Sequence, residues 1–115
     1  MTQKIPNIQA DAIINIKGKN LDSVSPSLSK KGDPGATIVW KIHPPNHKAN
    51  IRISLKPGSP NPFTDWPNGY AEGNDIITGT IDSSLVSVGH YLEFEYSVID
   101  QNNNTEIDPG GLVYR

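Results

Sequence analysis

Between His90 and Asp100 the chain alternates. Leu92, Phe94, Tyr96 and Val98 are apolar, and Glu93, Glu95 and Ser97 between them are polar. On an extended strand the two sets point to opposite faces, one toward a core and one toward water. A helical register would scatter the two glutamates among the apolar residues. The spacing therefore predicts a strand over 90–100. The same reasoning predicts a strand over 36–42, with Ile38, Trp40 and Ile42 on one face, and another over 50–56, with Ile51, Ile53 and Leu55. Residues 11–17 supply a fourth, through Ala12, Ile14 and Ile16. Residues 76–81 supply a fifth, interrupted by Gly79, and 112–114 a short last one. The stretch 21–28 adds an edge fragment, because Pro26 cannot donate to a central ladder.

Turn chemistry falls between these segments. Lys31-Gly32-Asp33-Pro34-Gly35, Gln101-Asn102-Asn103-Asn104 and Asp108-Pro109-Gly110-Gly111 are all rich in residues that favour or tolerate turn conformations. No window carries a capped helical stripe. Short strands at this spacing, in a chain of 115 residues, predict a single all-β domain over 1–115. Strands at this spacing suggest a sandwich or a barrel, and the expected architecture is an antiparallel β-sandwich.

Composition excludes several kinds of work. The net charge is −2, so no basic face is expected for nucleic acid. Lys17 with Lys19, and Lys30 with Lys31, sit beside Gly or Ser and read as solvated turns. The chain has no cysteine, which removes disulfides, thiolate metal sites and thiol nucleophiles. No run reaches the ~18–20 apolar residues of a membrane helix, and residues 1–7 do not read as a signal peptide. The expectation is a cytoplasmic protein with neither a nucleic-acid nor a membrane partner.

Chemistry-bearing groups are sparse. His43 and His47 have the four-residue spacing of a helical metal pair, but Pro44 and Pro45 between them forbid the helix. With His90 they form a three-histidine metal candidate, against the simpler reading of exposed turn histidines. Glu93 and Glu95 sit two residues apart on one strand face, which an exposed face explains as well as a carboxylate pair does. Asp65, Glu72 and Asp75 lack the spacing of a calcium loop. No Gly-x-Ser-x-Gly elbow and no phosphate loop is present. The chain is therefore expected not to be an enzyme and to carry no cofactor.

From Pro57 to Asp75 the strand pattern lapses. Four prolines fall there, with Phe63, Trp66 and Tyr70. So long a connection is uncommon in a compact domain. Its aromatics either plug one end of the core or are offered to a protein or small-molecule partner. The expected function is a binding or interaction module with Phe63, Trp66 and Tyr70 as contacts. The alternatives are a histidine metal-binding protein and a self-assembling protein that dimerises by strand addition.

One resemblance accompanies this reading. Gly35-Ala36-Thr37-Ile38-Val39-Trp40 looks like the glycine-to-tryptophan strand of cupredoxin-like domains. Tyr91-Leu92-Glu93-Phe94-Glu95-Tyr96-Ser97-Val98 followed by Asp108-Pro109-Gly110-Gly111-Leu112-Val113 resembles small bacterial proteins of the DP-EP family. The resemblance implies an antiparallel Greek-key β-sandwich, cupredoxin-like or, as the structural alternative, immunoglobulin-like, with a bacterial source and no known activity. Blue-copper chemistry does not carry over, since that site needs a Cys thiolate and usually an axial Met. Here Cys is absent and the sole Met is Met1.

Overall fold

A computed structural model describes residues 10–18, 20–43, 51–65, 76–101 and 104–115. The Ile38, Trp40, Ile42 face is the centre of the fold. These three side chains lie on β4 (Thr37–His43) and are fully buried. Val39, on the opposite face, is buried as well. The backbone N–H and C=O groups of a buried strand need partners along both edges. β1 (Ala12–Lys17) pairs with it in parallel, and β7 (Ile76–Ile81) pairs antiparallel. β2 (Asn20–Ser25) and β6 (Phe63–Asp65) extend the sheet, giving the order β2-β1-β4-β7-β6.

The remaining strands form two smaller sheets. One has the order β3-β11-β8, from Leu28–Lys31, Gly111–Tyr114 and Tyr91–Phe94. The other has the order β10-β9-β5, from Thr105–Ile107, Tyr96–Asp100 and Ile51–Leu55. Among the described residues the only helical element is a 3-10 turn at Ser83–Leu85, capped by the Asp82 side chain. The fold is all-β, as the alternation predicts. Two of the three sheets are mixed, because β1 with β4 and β3 with β11 run parallel, and only the β10-β9-β5 sheet is wholly antiparallel. Between β1 and β4 the chain makes a hairpin to β2, crosses to β3, and returns. A crossover of this kind permits parallel pairing, and side-chain alternation carries no information about direction.

The strand expected over 90–100 is two strands in different sheets. β8 ends at Phe94, and β9 begins at Tyr96. At the corner, the Glu95 N–H donates to Ser59 Oγ at 2.8 Å. The Glu95 carbonyl accepts the Lys56 N–H at 3.0 Å. The turn after β5 thus satisfies the backbone where the chain changes sheet. The alternation survives the corner, with Phe94, Tyr96 and Val98 buried and Glu93 and Glu95 exposed. The expected loop over 57–75 also changes, since Phe63 opens β6 and pairs with Ile81.

Side chains from all three sheets enter one hydrophobic cluster. Glycine permits the closest approach within it. A Cβ on Gly111 would lie 2.6 Å from Phe94 Cζ and 3.1 Å from Leu28 Cδ2. Phe94 and Leu28 are the partners of Gly111 on either side of β11. Their side chains occupy the space that a methyl group would need. Gly111→Ala is therefore expected to lower unfolding stability by about 1–3 kcal/mol through overpacking. Urea denaturation against the unsubstituted chain measures this, and an unchanged midpoint contradicts it.

Candidate functional site

Of the expected site residues, the structure describes Phe63, His43 and His90. Phe63 is 6% exposed, and its ring packs at 6.2 Å from Trp40 and 5.7 Å from Phe94, centroid to centroid. Its ring is therefore committed to the interior. Trp66 and Tyr70 lie outside the described residues, as does His47. His43 ends β4 and is exposed. His90 is also exposed and immediately precedes β8. The His90 carbonyl accepts the Arg115 N–H, and the adjacent Tyr114 carbonyl accepts the Gly32 N–H. Gly32 lies against Ile81, whose N–H bonds Ala36 at the beginning of β4. His90 thus stands near the start of β4 and His43 at its end, separated by roughly 20 Å of extended strand. Among the described residues, no three His, Cys, Asp or Glu groups stand close enough to hold a metal ion. Among them, too, no helix is long and apolar enough to cross a membrane.

Exposure concentrates elsewhere. Val88 is 78% exposed, Tyr91 66%, Leu85 50% and Tyr114 41%. These are the large apolar side chains left in water among the described residues, and they gather around one end of the β3-β11-β8 sheet. Leu85 and Val88 come from the 83–90 segment that leads into β8. Tyr91 begins β8, and Tyr114 is its direct partner on β11. His90 and Arg115 form the next pair, joined by the Arg115 N–H bond to the His90 carbonyl at 3.1 Å. Hydrogen-bonded and non-bonded pairs alternate along an antiparallel ladder, so Tyr91 and Tyr114 form a narrow, non-bonded pair. Their side chains leave the same face about 5 Å apart at Cβ. Lys31 is level with Tyr114 on β3, and Ser29 and Glu93 flank Leu112 in the next row.

The sequence carries a signal for this face that the core-directed reading passes over. Tyr91 falls in phase with Glu93 and Glu95, and Tyr114 out of phase with buried Val113. An aromatic residue on the wet phase of a strand is not explained by the core.

Two adjoining hollows open at the far end of this sheet. One, of about 300 Å³, is lined by Ser27, Glu93, Glu95, Gly110 and Leu112 among others. The second, of about 240 Å³, includes Lys56, Glu95, Tyr96 and Asp108. They meet at Glu95, Pro109 and Gly110. Lys56 Nζ donates to Asp108 Oδ2 at 2.7 Å, and Ser97 Oγ donates to Asp108 Oδ1 at 2.7 Å. The hydrogen bond from Lys56, and then that from Ser97, holds the Asp108 carboxyl below its ordinary range. The bond to Asp108 in turn raises Lys56. Asp108 is therefore a fixed carboxylate and Lys56 a fixed ammonium. The Ser97 hydroxyl is buried with its proton directed at Asp108. The trio ties β9 and the 108–111 turn to the residue that follows β5.

This pair sets a pH window. The lowered Asp108 contributes stability above its ordinary value of 3.8, and loses that contribution as pH falls through its lower folded value. The raised Lys56 contributes below its ordinary 10.5, and loses that contribution as pH rises through its higher folded value. Asp108→Asn is expected to lower Tm at pH 6–8, with the difference from the parent chain shrinking in acid. Thermal melts from pH 2 to 8 test this, and a difference independent of pH contradicts it. No protein-family model, curated protein or solved structure matches this chain.

Proposed function

We propose that the chain is a non-enzymatic binding module of β-sandwich architecture, which holds its partner on the outer face of the β3-β11-β8 sheet. In this sandwich the five-stranded sheet forms one layer and the two three-stranded sheets form the other. One observation carries the reading: in a chain that buries Trp40, Phe94 and Tyr96, two paired tyrosines remain in water, and the segment that leads into β8 leaves Val88 and Leu85 in water as well. Contiguous exposed apolar surface marks interaction sites in folded proteins. Tyrosine suits such surfaces because it combines large contact area with a polar tip and few rotatable bonds.

The groups most able to do acid–base or nucleophilic work support a non-enzymatic reading. Asp108, Lys56 and Ser97 are engaged with one another, and the charge states of the first two are fixed away from neutrality. Trp66 and Tyr70 remain proposed contacts of the 57–75 segment, and Phe63 leaves that set. The cupredoxin-like resemblance is carried here as a proposal about topology alone.

The test is a screen of the labelled chain on a peptide array and a glycan array, repeated with Tyr91→Ser and Tyr114→Ser. Signals on at least one array should fall with either substitution. Tm should hold, since exposed substitutions usually change stability by about 0.5 kcal/mol or less. Signals indifferent to both tyrosines, or blank arrays, contradict the proposed face.

A further inference from the structure

We propose that the occupant of this face is an extended peptide segment carrying arginine side chains, laid along β11 from the tyrosine pair to the hollow at Gly110. The inference rests on the reading that the tyrosine face is the contact surface, and it adds the chemistry of the partner.

Charge is the first argument. The lysines nearest this sheet already face carboxylates: Lys30 pairs with Asp11 at 2.9 Å, Lys31 with Asp33 at 3.9 Å and Lys56 with Asp108 at 2.7 Å. Glu93 and Glu95 are exposed and line the larger hollow, with no ion pair to a described residue. Glu95 acts on Lys56 only as a lesser, through-space influence, behind Asp108. The hollow therefore presents two carboxylates, which accept hydrogen bonds and attract a cation.

Geometry is the second. Tyr91 and Glu93 lie two residues apart on β8 and share its outer face, about 7 Å apart along the strand. A guanidinium stacked on the Tyr91 ring, within the roughly 6 Å that such contacts require, also reaches the Glu93 carboxylate. Arginine suits this arrangement better than lysine, because its planar fork stacks on rings and pairs with a carboxylate through two parallel bonds. From Tyr114 to Gly110 the track is roughly 13 Å long. That is the length of about four extended residues, in which alternate side chains face the sheet. One arginine then meets Tyr91 and Glu93, and the next meets Glu95. A neutral saccharide also stacks on tyrosine, but it has no need of the carboxylates, so the two occupants separate experimentally.

The experiment uses the full chain, isotopically labelled, titrated with an acetylated and amidated Gly-Arg-Gly-Arg-Gly peptide while backbone NMR shifts are followed. The same peptide with citrulline in place of arginine is the neutral isostere, and a neutral gluco-oligosaccharide is the second probe. The arginine peptide should shift residues around Tyr91, Glu93, Leu112 and Tyr114. The citrulline peptide should bind at least roughly fivefold more weakly, in line with the loss of exposed charge pairs. The double variant Glu93→Gln with Glu95→Gln should weaken the arginine peptide by a similar factor. Lys31→Glu should tighten it, a gain that damage to the fold does not produce. Equal binding of the arginine and citrulline peptides, or an arginine affinity indifferent to the glutamates, overturns the cationic occupant. Saccharide shifts at the tyrosines without arginine-peptide shifts overturn it too, while leaving the tyrosine face standing as a binding surface. No shift at Tyr91 or Tyr114 with the arginine peptide also overturns it, and the array screen then decides the face independently.

Discussion

Four aromatic rings, from β4, β6, β8 and β9, close on one another in the interior. Trp40 packs against Phe63 at 6.2 Å and Tyr96 at 5.6 Å, and Phe94 completes the circuit at 5.7 Å from Phe63 and 5.4 Å from Tyr96. Trp40 and Phe63 belong to the five-stranded sheet, Phe94 to the β3-β11-β8 sheet and Tyr96 to the β10-β9-β5 sheet. The circuit is where all three sheets meet. Rings of this size bury about 150–250 Å² each and favour tilted or offset contacts. The polar tips are accommodated as well: Trp40 Nε1 donates to Tyr96 Oη at 3.2 Å in a buried bond. Burial pushes the Tyr96 phenol up, so it stays neutral and the bond persists at ordinary pH. Breaking it would leave a buried indole N–H without a partner, and such a loss costs about 1–3 kcal/mol.

The circuit also explains the corner at Glu95. Phe94 and Tyr96 flank it, and both must point inward for their rings to stack. The backbone therefore changes sheet without changing phase. The Ser59 hydroxyl and the Lys56 N–H replace the ladder bonds that Glu95 does not make. Exposed Glu95 is consequently held at the seam between the two small sheets, beside the turn that carries Asp108, Pro109 and Gly110. The hollows are a result of this seam. A continuous strand from 91 to 100 would leave no gap there.

Much of this was legible in the residues. The strands expected over 11–17, 36–42, 50–56, 76–81 and 112–114 agree with β1, β4, β5, β7 and β11 to within a residue at either end. Each carries enough alternating apolar residues to set its own phase. β6 and β10 are three residues long, too short for alternation to declare itself. β3 escapes because Ser29, Lys30 and Lys31 give it one apolar residue, Leu28; its pairing with β11 defines it as a strand. The change of sheet at Glu95 was invisible because local alternation is the same on both sides of the corner. Strand direction escaped for a related reason. Parallel and antiparallel neighbours make the same demand on a single strand's faces, and the difference lies in the path of the connection.

The candidate face separates what folding requires from what it does not. On β11 the inward positions are Gly111 and Val113, and on β8 they are Leu92 and Phe94. Gly111 admits Phe94 and Leu28, and Val113 is fully buried. The outward positions need only keep water on that side, a requirement that Ser29 and Glu93 meet with small or charged groups. Tyr91 and Tyr114 leave most or nearly half of their surface in water, so they gain little from burial. Tyrosine has a high propensity for strands, but that preference reflects packing on a half-buried surface against neighbours, and here the two tyrosines face each other across the ladder with both rings exposed. Their pairing brings about 0.2–1 kcal/mol, small beside the interior circuit. The fold is thus secured by residues on the opposite phase. These two positions could carry polar side chains at little cost to it, which leaves their chemistry available for contact with a partner.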